Sequence, residues 1–298
     1  MQKLIVLLGT NASGKSDLGI RLAEHFKGEI VSADSRQVYR GLDLGTGKIT
    51  PAQAALVKHH LIDVADVSEN YSLAQYQRAA FAAIDAIASA GRLPFLVGGT
   101  GLYISAIVEG YELVDVPPNT ALRAELDLLP VPELVRRLEQ ADPQAAGRID
   151  KSNPRRLVRA IEIATAGRQH SSAQKSSPRY DCLQLGLTWP GETLKERIES
   201  RLRTRLEEGM IEEVAAIRSS GVSDARLDSL GLEYRYITRY LRGEIASADA
   251  LRTQLATAIR QFAKRQLTWF KRDHRIHWLD PFGNCFEQAC NLISRHQQ

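Results

Sequence analysis

The chain has 298 residues, is 44% hydrophobic and 25% charged, and carries 39 basic against 35 acidic side chains, a formal net charge of +4. That apolar content excludes a disordered chain, and the length fits one large domain or two. Cys182, Cys285 and Cys290 lack CxxC or Cys/His metal spacing, and an odd number of thiols argues against a disulfide framework and fits a reducing compartment.

In chain order, residues 3–8 (KLIVLL) read as a buried parallel strand, short and continuously apolar. This run is too short to cross a membrane and leads into a glycine loop, not a cleavage site, so the cytoplasm is expected. A loop over 9–16 and a helix over 17–26 follow, then a second strand over 29–33 (EIVSA). Residues 72–90 predict a long helix, with Ser72 placed to cap it and Gly91 to close it. A third strand over 92–97 ends at Gly98-Gly99. Strand, helix, strand in this order predicts a parallel sheet with crossover helices. Pro117-Pro118 then breaks the pattern. Helical periodicity follows, and a Ser-rich loop spans 169–179. Residues 182–189 read as a buried strand, helices are expected over 192–218, 231–241 and 247–272, and a last strand over 276–279. The expected architecture is therefore α/β, a P-loop NTPase-like parallel sheet core (1–118 and 180–298) with a helical insertion domain at 119–179.

The charge is uneven. Residues 1–118 carry 10 basic and 12 acidic side chains, a net of −2, and residues 119–298 carry 29 and 23, a net of +6. Of those 29 basic residues, 24 are Arg, the side chain suited to phosphate contact and to stacking on bases. Two stretches concentrate them, 148–159 and 260–275, and the second interleaves Phe262, Trp269 and Phe270. Each stretch alone reads as a solvated helix face. Together they point toward a phosphate-rich ligand or a nucleic-acid backbone.

Gly9, Thr10, Asn11, Ala12, Ser13, Gly14, Lys15 and Ser16 match G-x-x-x-x-G-K-[ST] between a strand and a helix. Backbone N–H groups and the helix N-terminus favour a polyphosphate, Gly9 and Gly14 give the backbone close approach, Lys15 adds a point charge, and Ser16 is placed to hold Mg²⁺. The neighbouring strand ends in Gly98-Gly99-Thr100-Gly101 without an acid, which disfavours hydrolysis and favours transfer chemistry. The second strand delivers Asp34 to the carboxyl ends of the sheet, beside the phosphate loop. A carboxylate beside a diphosphate suffers Coulomb repulsion, so a metal or a proton-acceptor role is expected of it, the alternative being a turn-capping Asp.

These residues resemble the tRNA dimethylallyltransferase (tRNA isopentenyltransferase) family. The resemblance is carried by GTNASGKS at 9–16, SADSRQVYRGLDLGTGK at 32–48, HHLID at 59–63, YSLAQYQR at 71–78 and LPFLVGGTGLY at 93–103. It continues through DPQAAGRIDKSNPRRLVRAIEIATAG at 142–167, RIESRLRTRLEEGMIEEV at 197–214 and AKRQLTWF at 263–270. It implies transfer of a dimethylallyl group from dimethylallyl diphosphate to N6 of the adenosine 3′ of the anticodon, with Mg²⁺ as cofactor. The same resemblance implies Asp34 as general base, with Lys15, Thr100 and Arg201 as the other catalytic residues. Ser35, Arg36 and Gln37 would read the flipped base, and Asp34 and Thr100 would also touch it. Arg123, Asn153, Arg155, Arg156, Arg159, Arg260, Lys264, Arg265 and Gln266 would hold the anticodon stem-loop. A monomer without a membrane partner is expected. Residues 230–236 (LGLEYRY) depart from the family's usual pattern, so no role is carried over to them.

Three alternatives fit these residues less well. A P-loop kinase shares the loop but leaves GGTGLY and AKRQLTWF without a role. An enzyme prenylating free nucleotides needs neither the insertion nor the Arg-rich remainder. A catalytically dead RNA binder is disfavoured because Lys15, Ser16, Asp34 and Arg201 are all present.

Overall fold

The computed structural model describes residues 1–114, 116–168 and 178–298. These fall into two compact units, one made of Met1–Val108 with Arg179–Gln298 and the other of Glu109–Pro178.

The first unit begins with β1 (Gln2–Gly9), whose side chains from Leu4 to Leu8 are all fully buried. Helix α1 (Lys15–His25) starts at Gly14, in the left-handed region at φ 93°, so it opens two residues earlier than the periodicity predicts. Strand β2 (Glu29–Ala33) matches its expected bounds. A short helix α2 (Pro51–Leu56) and a two-residue strand β3 (His59–His60) were not expected, being too short for a periodic signal. Helix α3 (Leu73–Ser89) is capped by Ser72, which accepts from Gln75 N–H while Gln75 reaches back. Gly91, at φ 71°, lies just beyond it. Strand β4 (Pro94–Gly98) leads into helix α4 (Gly101–Val108).

The second unit is helical: α5 (Thr120–Leu126), α6 (Val131–Ala141), α7 (Pro143–Arg148) and α8 (Pro154–Thr165). It has its own core of Leu126, Leu134, Leu138, Leu157 and Ile161. The expected Ser-rich loop lies, over 169–177, outside the described residues.

The chain returns to the sheet with β5 (Tyr180–Leu187) and α9 (Gly191–Glu207). The single helix expected over 192–218 is instead two. Gly209 adopts φ 101°, which ends α9 and caps α10 (Met210–Ser219). Helices α11 (Asp224–Ser229), α12 (Leu232–Leu241) and α13 (Ala248–Phe270) follow, then β6 (Ile276–Trp278) and α14 (Cys285–Gln297). The last of these helices was not anticipated.

All six strands are parallel, in the order β3-β2-β4-β1-β5-β6. Alternation along β1 divides the core: Leu4, Val6 and Leu8 pack with Tyr76, Ile84 and Ile107, and Ile5 and Leu7 pack with Leu18, Leu22 and Ile293. Each such side chain contributes roughly 1.5–3 kcal/mol on burial. The carboxyl ends of β1, β2 and β4 meet on one edge, where open parallel sheets bind ligands.

Candidate active site

The carbonyls of the phosphate loop are hydrogen-bonded by side chains around it: Trp189 Nε1 donates to Ser13 O at 2.9 Å, Arg197 Nε to Ala12 O at 2.9 Å, and Lys15 Nζ to Thr10 O at 3.2 Å. Arg197 also lies over the Trp189 ring, 4.7 Å from its centroid. Ala12 takes φ 60°, an uncommon conformation for a residue with a Cβ, and this is backbone strain held at the loop. The first N–H groups of α1 lack intrahelical partners and remain for an anion. The Ser13 hydroxyl is buried and makes no hydrogen bond among the described residues.

The two motif glycines do different work. Gly14 supplies the positive φ. A Cβ on Gly9 would fall 2.1 Å from Leu187 O, so Gly9 serves the close approach of β1 and β5.

Gln266 joins this loop to the turn after β4. Its Oε1 accepts from Asn11 N–H at 2.8 Å and its Nε2 donates to Gly99 O at 2.8 Å. Of the residues expected on RNA, this one has its amide committed to the two loops. The neighbouring Lys264 and Arg265 of α13 are exposed, and Arg260 donates to Thr257 Oγ1.

Asp34 follows β2. Its Oδ1 accepts from Arg36 N–H at 2.8 Å, and Thr100 Oγ1 accepts from Ser35 N–H at 3.0 Å, so the turn 34–36 is fixed at both ends. Gln37 accepts from Ser32 Oγ and donates to Gly47 O, both at 3.2 Å. Helix α9 brings Arg201, whose Nη1 donates to Asn11 Oδ1 at 2.8 Å, and one turn later Arg205 against Gly47. The loop carrying Gly47 is itself pinned by Glu213, which accepts from the N–H groups of Asp43, Leu44 and Gly45 and from the Tyr234 hydroxyl.

These cations crowd one another. Burial first, then Arg201, lowers Lys15 to about 8 against the partial relief of Asp34. Burial and then Arg205 lower Arg201 to about 10, and burial lowers Arg205 as well. Glu233 faces them from α12; burial pushes its carboxyl up against the pull of Arg205 and Arg201. A recessed cluster of three cations with two carboxylates favours a multiply charged anion.

Two cavities lie here. One, of about 630 Å³, is lined by the phosphate loop, Asp34, Gln37, Arg197 and Arg201. The second, of about 450 Å³, is lined by Asp34, Ser35, Arg36, Thr100, Glu233 and Trp269. Thus Asp34 borders both. Arg197, Arg205, Glu213, Glu233 and Phe262 were not singled out from the sequence as site residues. The repeated Arg spacing of RIESRLRTR puts Arg197, Arg201 and Arg205 on one face of α9, and the Gly47 loop and α12 reveal what that face meets.

The remaining residues expected on RNA lie in the helical unit. Arg123 makes a two-pronged pair with Glu162, with both bonds at 2.7 Å, and Arg159 donates to Val116 O at 2.9 Å and contacts Glu162 at 3.3 Å. The Glu162 side chain is fully buried. Asn153 caps α8, Arg156 lies 3.7 Å from Asp150, and Arg155 is exposed.

A family model described as IPP transferase matches residues 37–273. A tRNA dimethylallyltransferase 2 of Shewanella sediminis is 43% identical over 295 residues, 98% of this chain and 97% of the relative. A tRNA dimethylallyltransferase of Treponema pallidum is 43% identical over 292 residues, 95% of this chain and 92% of the relative. Among solved structures, the full-length tRNA isopentenylpyrophosphate transferase of Bacillus halodurans superposes with a TM-score of 0.75 at 36% identity, covering 99% of this chain and 97% of that one.

Proposed function

This chain belongs to the IPP transferase family and prenylates tRNA, and we propose that it moves the dimethylallyl group of dimethylallyl diphosphate onto N6 of the adenosine 3′ of the anticodon. The observation that carries this reading is that Asp34 borders both the phosphate-loop cavity and the second cavity. A base in one cavity and a diphosphate in the other would meet at its carboxylate.

The chemistry follows from the side chains. An exocyclic adenine amine is a weak nucleophile because its lone pair is delocalised into the ring. Asp34 takes the N6 proton as nitrogen bonds the allylic carbon. Its Oδ1 is held by Arg36 N–H, which leaves Oδ2 to receive that proton. The C–O bonding pair leaves with the diphosphate, whose growing charge meets the loop N–H groups, Lys15 and Arg201. A base in a loop leaves its stack more easily than one in a duplex. Ser35, Arg36 and Thr100 line the second cavity and are placed to touch it.

Mg²⁺ fits the donors present. Ser16, Asp17 and Asp34 line the phosphate-loop cavity, and among the described residues no cluster of three or more His, Cys, Asp or Glu side chains forms a metal cage. Such a set suits an ion held mainly by substrate phosphates, with Ser16 and one carboxylate completing it. When bound, the ion neutralises charge on the leaving diphosphate. No helix among the described residues is long and apolar enough to cross a membrane. A cytoplasmic monomer is the proposed working form.

Incubation with dimethylallyl diphosphate, Mg²⁺ and unmodified tRNA should yield N6-prenylated adenosine. Equal prenylation of free AMP, or turnover supported only by ATP, overturns the proposal.

A further inference from the structure

The two cavities share Asn11, Asp34, Thr46, Gly99, Phe262 and Gln266. Phe262 alone among these has an apolar side chain. It sits on α13 one turn before Gln266, yet Gln266 is buried between the loops while 37% of Phe262 is exposed.

Given the reading above, on which this inference rests, the diphosphate occupies the first cavity and the adenine the second. The dimethylallyl carbon then crosses where the two meet. We propose that Phe262 is a catalytic side chain whose ring borders this crossing and stabilises the positive charge on the allylic group. In the step, the C1–O bond breaks and its electron pair leaves with the diphosphate. The N6 lone pair forms the C1–N bond, and the N6 proton passes to Asp34. Between breaking and forming, the allylic carbons carry positive charge, and they do so beside Lys15 and Arg201, which repel it.

An aromatic face suits this position for two reasons. Its quadrupole presents negative potential to a cation. It also has no lone pair to capture the allylic carbon, whereas a hydroxyl or amide at the same place would compete with N6. The ring accepts positive charge in the structure itself: the Arg265 guanidinium carbon lies 5.8 Å from its centroid.

The test compares Phe262→Leu and a series with progressively fluorinated phenylalanine at 262, in single-turnover prenylation of unmodified tRNA at saturating substrates. The expected result is a loss in rate of ~5- to 30-fold for Phe262→Leu, the range of a partly desolvated cation–π contact. The logarithm of the rate should fall stepwise with fluorination. Affinities for inorganic diphosphate and for tRNA, measured separately, should stay unchanged, which also shows that the variants fold. The inference is overturned if Phe262→Leu reacts at the wild-type rate, if its defect is entirely weaker tRNA binding, or if the fluorinated series is flat. Wild-type protein that forms no prenylated adenosine overturns the functional reading together with the inference. An active wild type with an indifferent Phe262 overturns the inference alone.

Discussion

Lys15 offers a direct test of the crowded cation cluster. With its value lowered to about 8 by burial and by Arg201 and Arg205, the ammonium is mostly charged at pH 7 and about one-tenth charged at pH 9. Bound diphosphate compensates Arg201 and Arg205 and returns Lys15 toward its ordinary range. Binding at pH 9 should therefore draw in nearly one proton, and the lysine should weaken affinity by ~10-fold, or about 1.4 kcal/mol, between pH 7 and pH 9. Titration calorimetry of inorganic diphosphate at both pH values, in two buffers of different ionisation enthalpy, counts that proton. Lys15→Met lacks it, and subtracting the variant removes the titration of diphosphate itself. Folding has the opposite sign. The folded value lies below the unfolded one, so between about 8 and 10.5 the unfolded chain binds more protons, and wild type gains stability over Lys15→Met as pH rises through that window. Equal proton uptake by wild type and Lys15→Met at pH 9 would refute the reasoning.

Asp34→Ala should lower kcat by ~10²–10⁴ with tRNA affinity largely kept, the usual effect of losing a general base; loss of tRNA binding instead would make Asp34 a positioning residue. In the helical unit, Glu162→Ala leaves Arg123 and Arg159 without their carboxylate. The expected loss is roughly 2–3 kcal/mol, below that of a fully buried pair because Arg123 is 40% exposed, and it is readable as faster amide exchange across α5 and α8. Affinity for tRNA should fall linearly in log–log terms with added salt. Lys264→Ala should reduce that slope by about one; a flat salt response would remove the exposed α13 cations from the RNA contact.

The sheet was legible because its signals are local. The run of apolar residues at 3–8 names β1 without help, and Ser72 with Gly91 frames α3. The break between α9 and α10 was not legible, because Glu208-Gly209 interrupts an otherwise continuous helical pattern and only the left-handed φ of Gly209 reveals the turn. Among the site residues, the phosphate loop and Asp34 stand in short contiguous motifs. Arg205, Glu233 and Phe262 do not, since their meaning depends on what α12 and α13 bring beside α9. The arginines of the helical unit show the converse difficulty. Sequence reports the charge of Arg123 and Arg159, but that a single buried carboxylate engages both is a property of tertiary packing.

The chain has three tryptophans, and two of them stand beside different parts of the site. Trp189 hydrogen-bonds the phosphate loop, and Trp269 lies against Gly101 in the wall of the second cavity. The molecule thus contains its own pair of optical probes. With Trp278 and one or the other replaced by Phe, emission from the survivor would follow the arrival of diphosphate and of the nucleotide separately, without labels. The order in which the two substrates bind becomes a question for a stopped-flow fluorimeter.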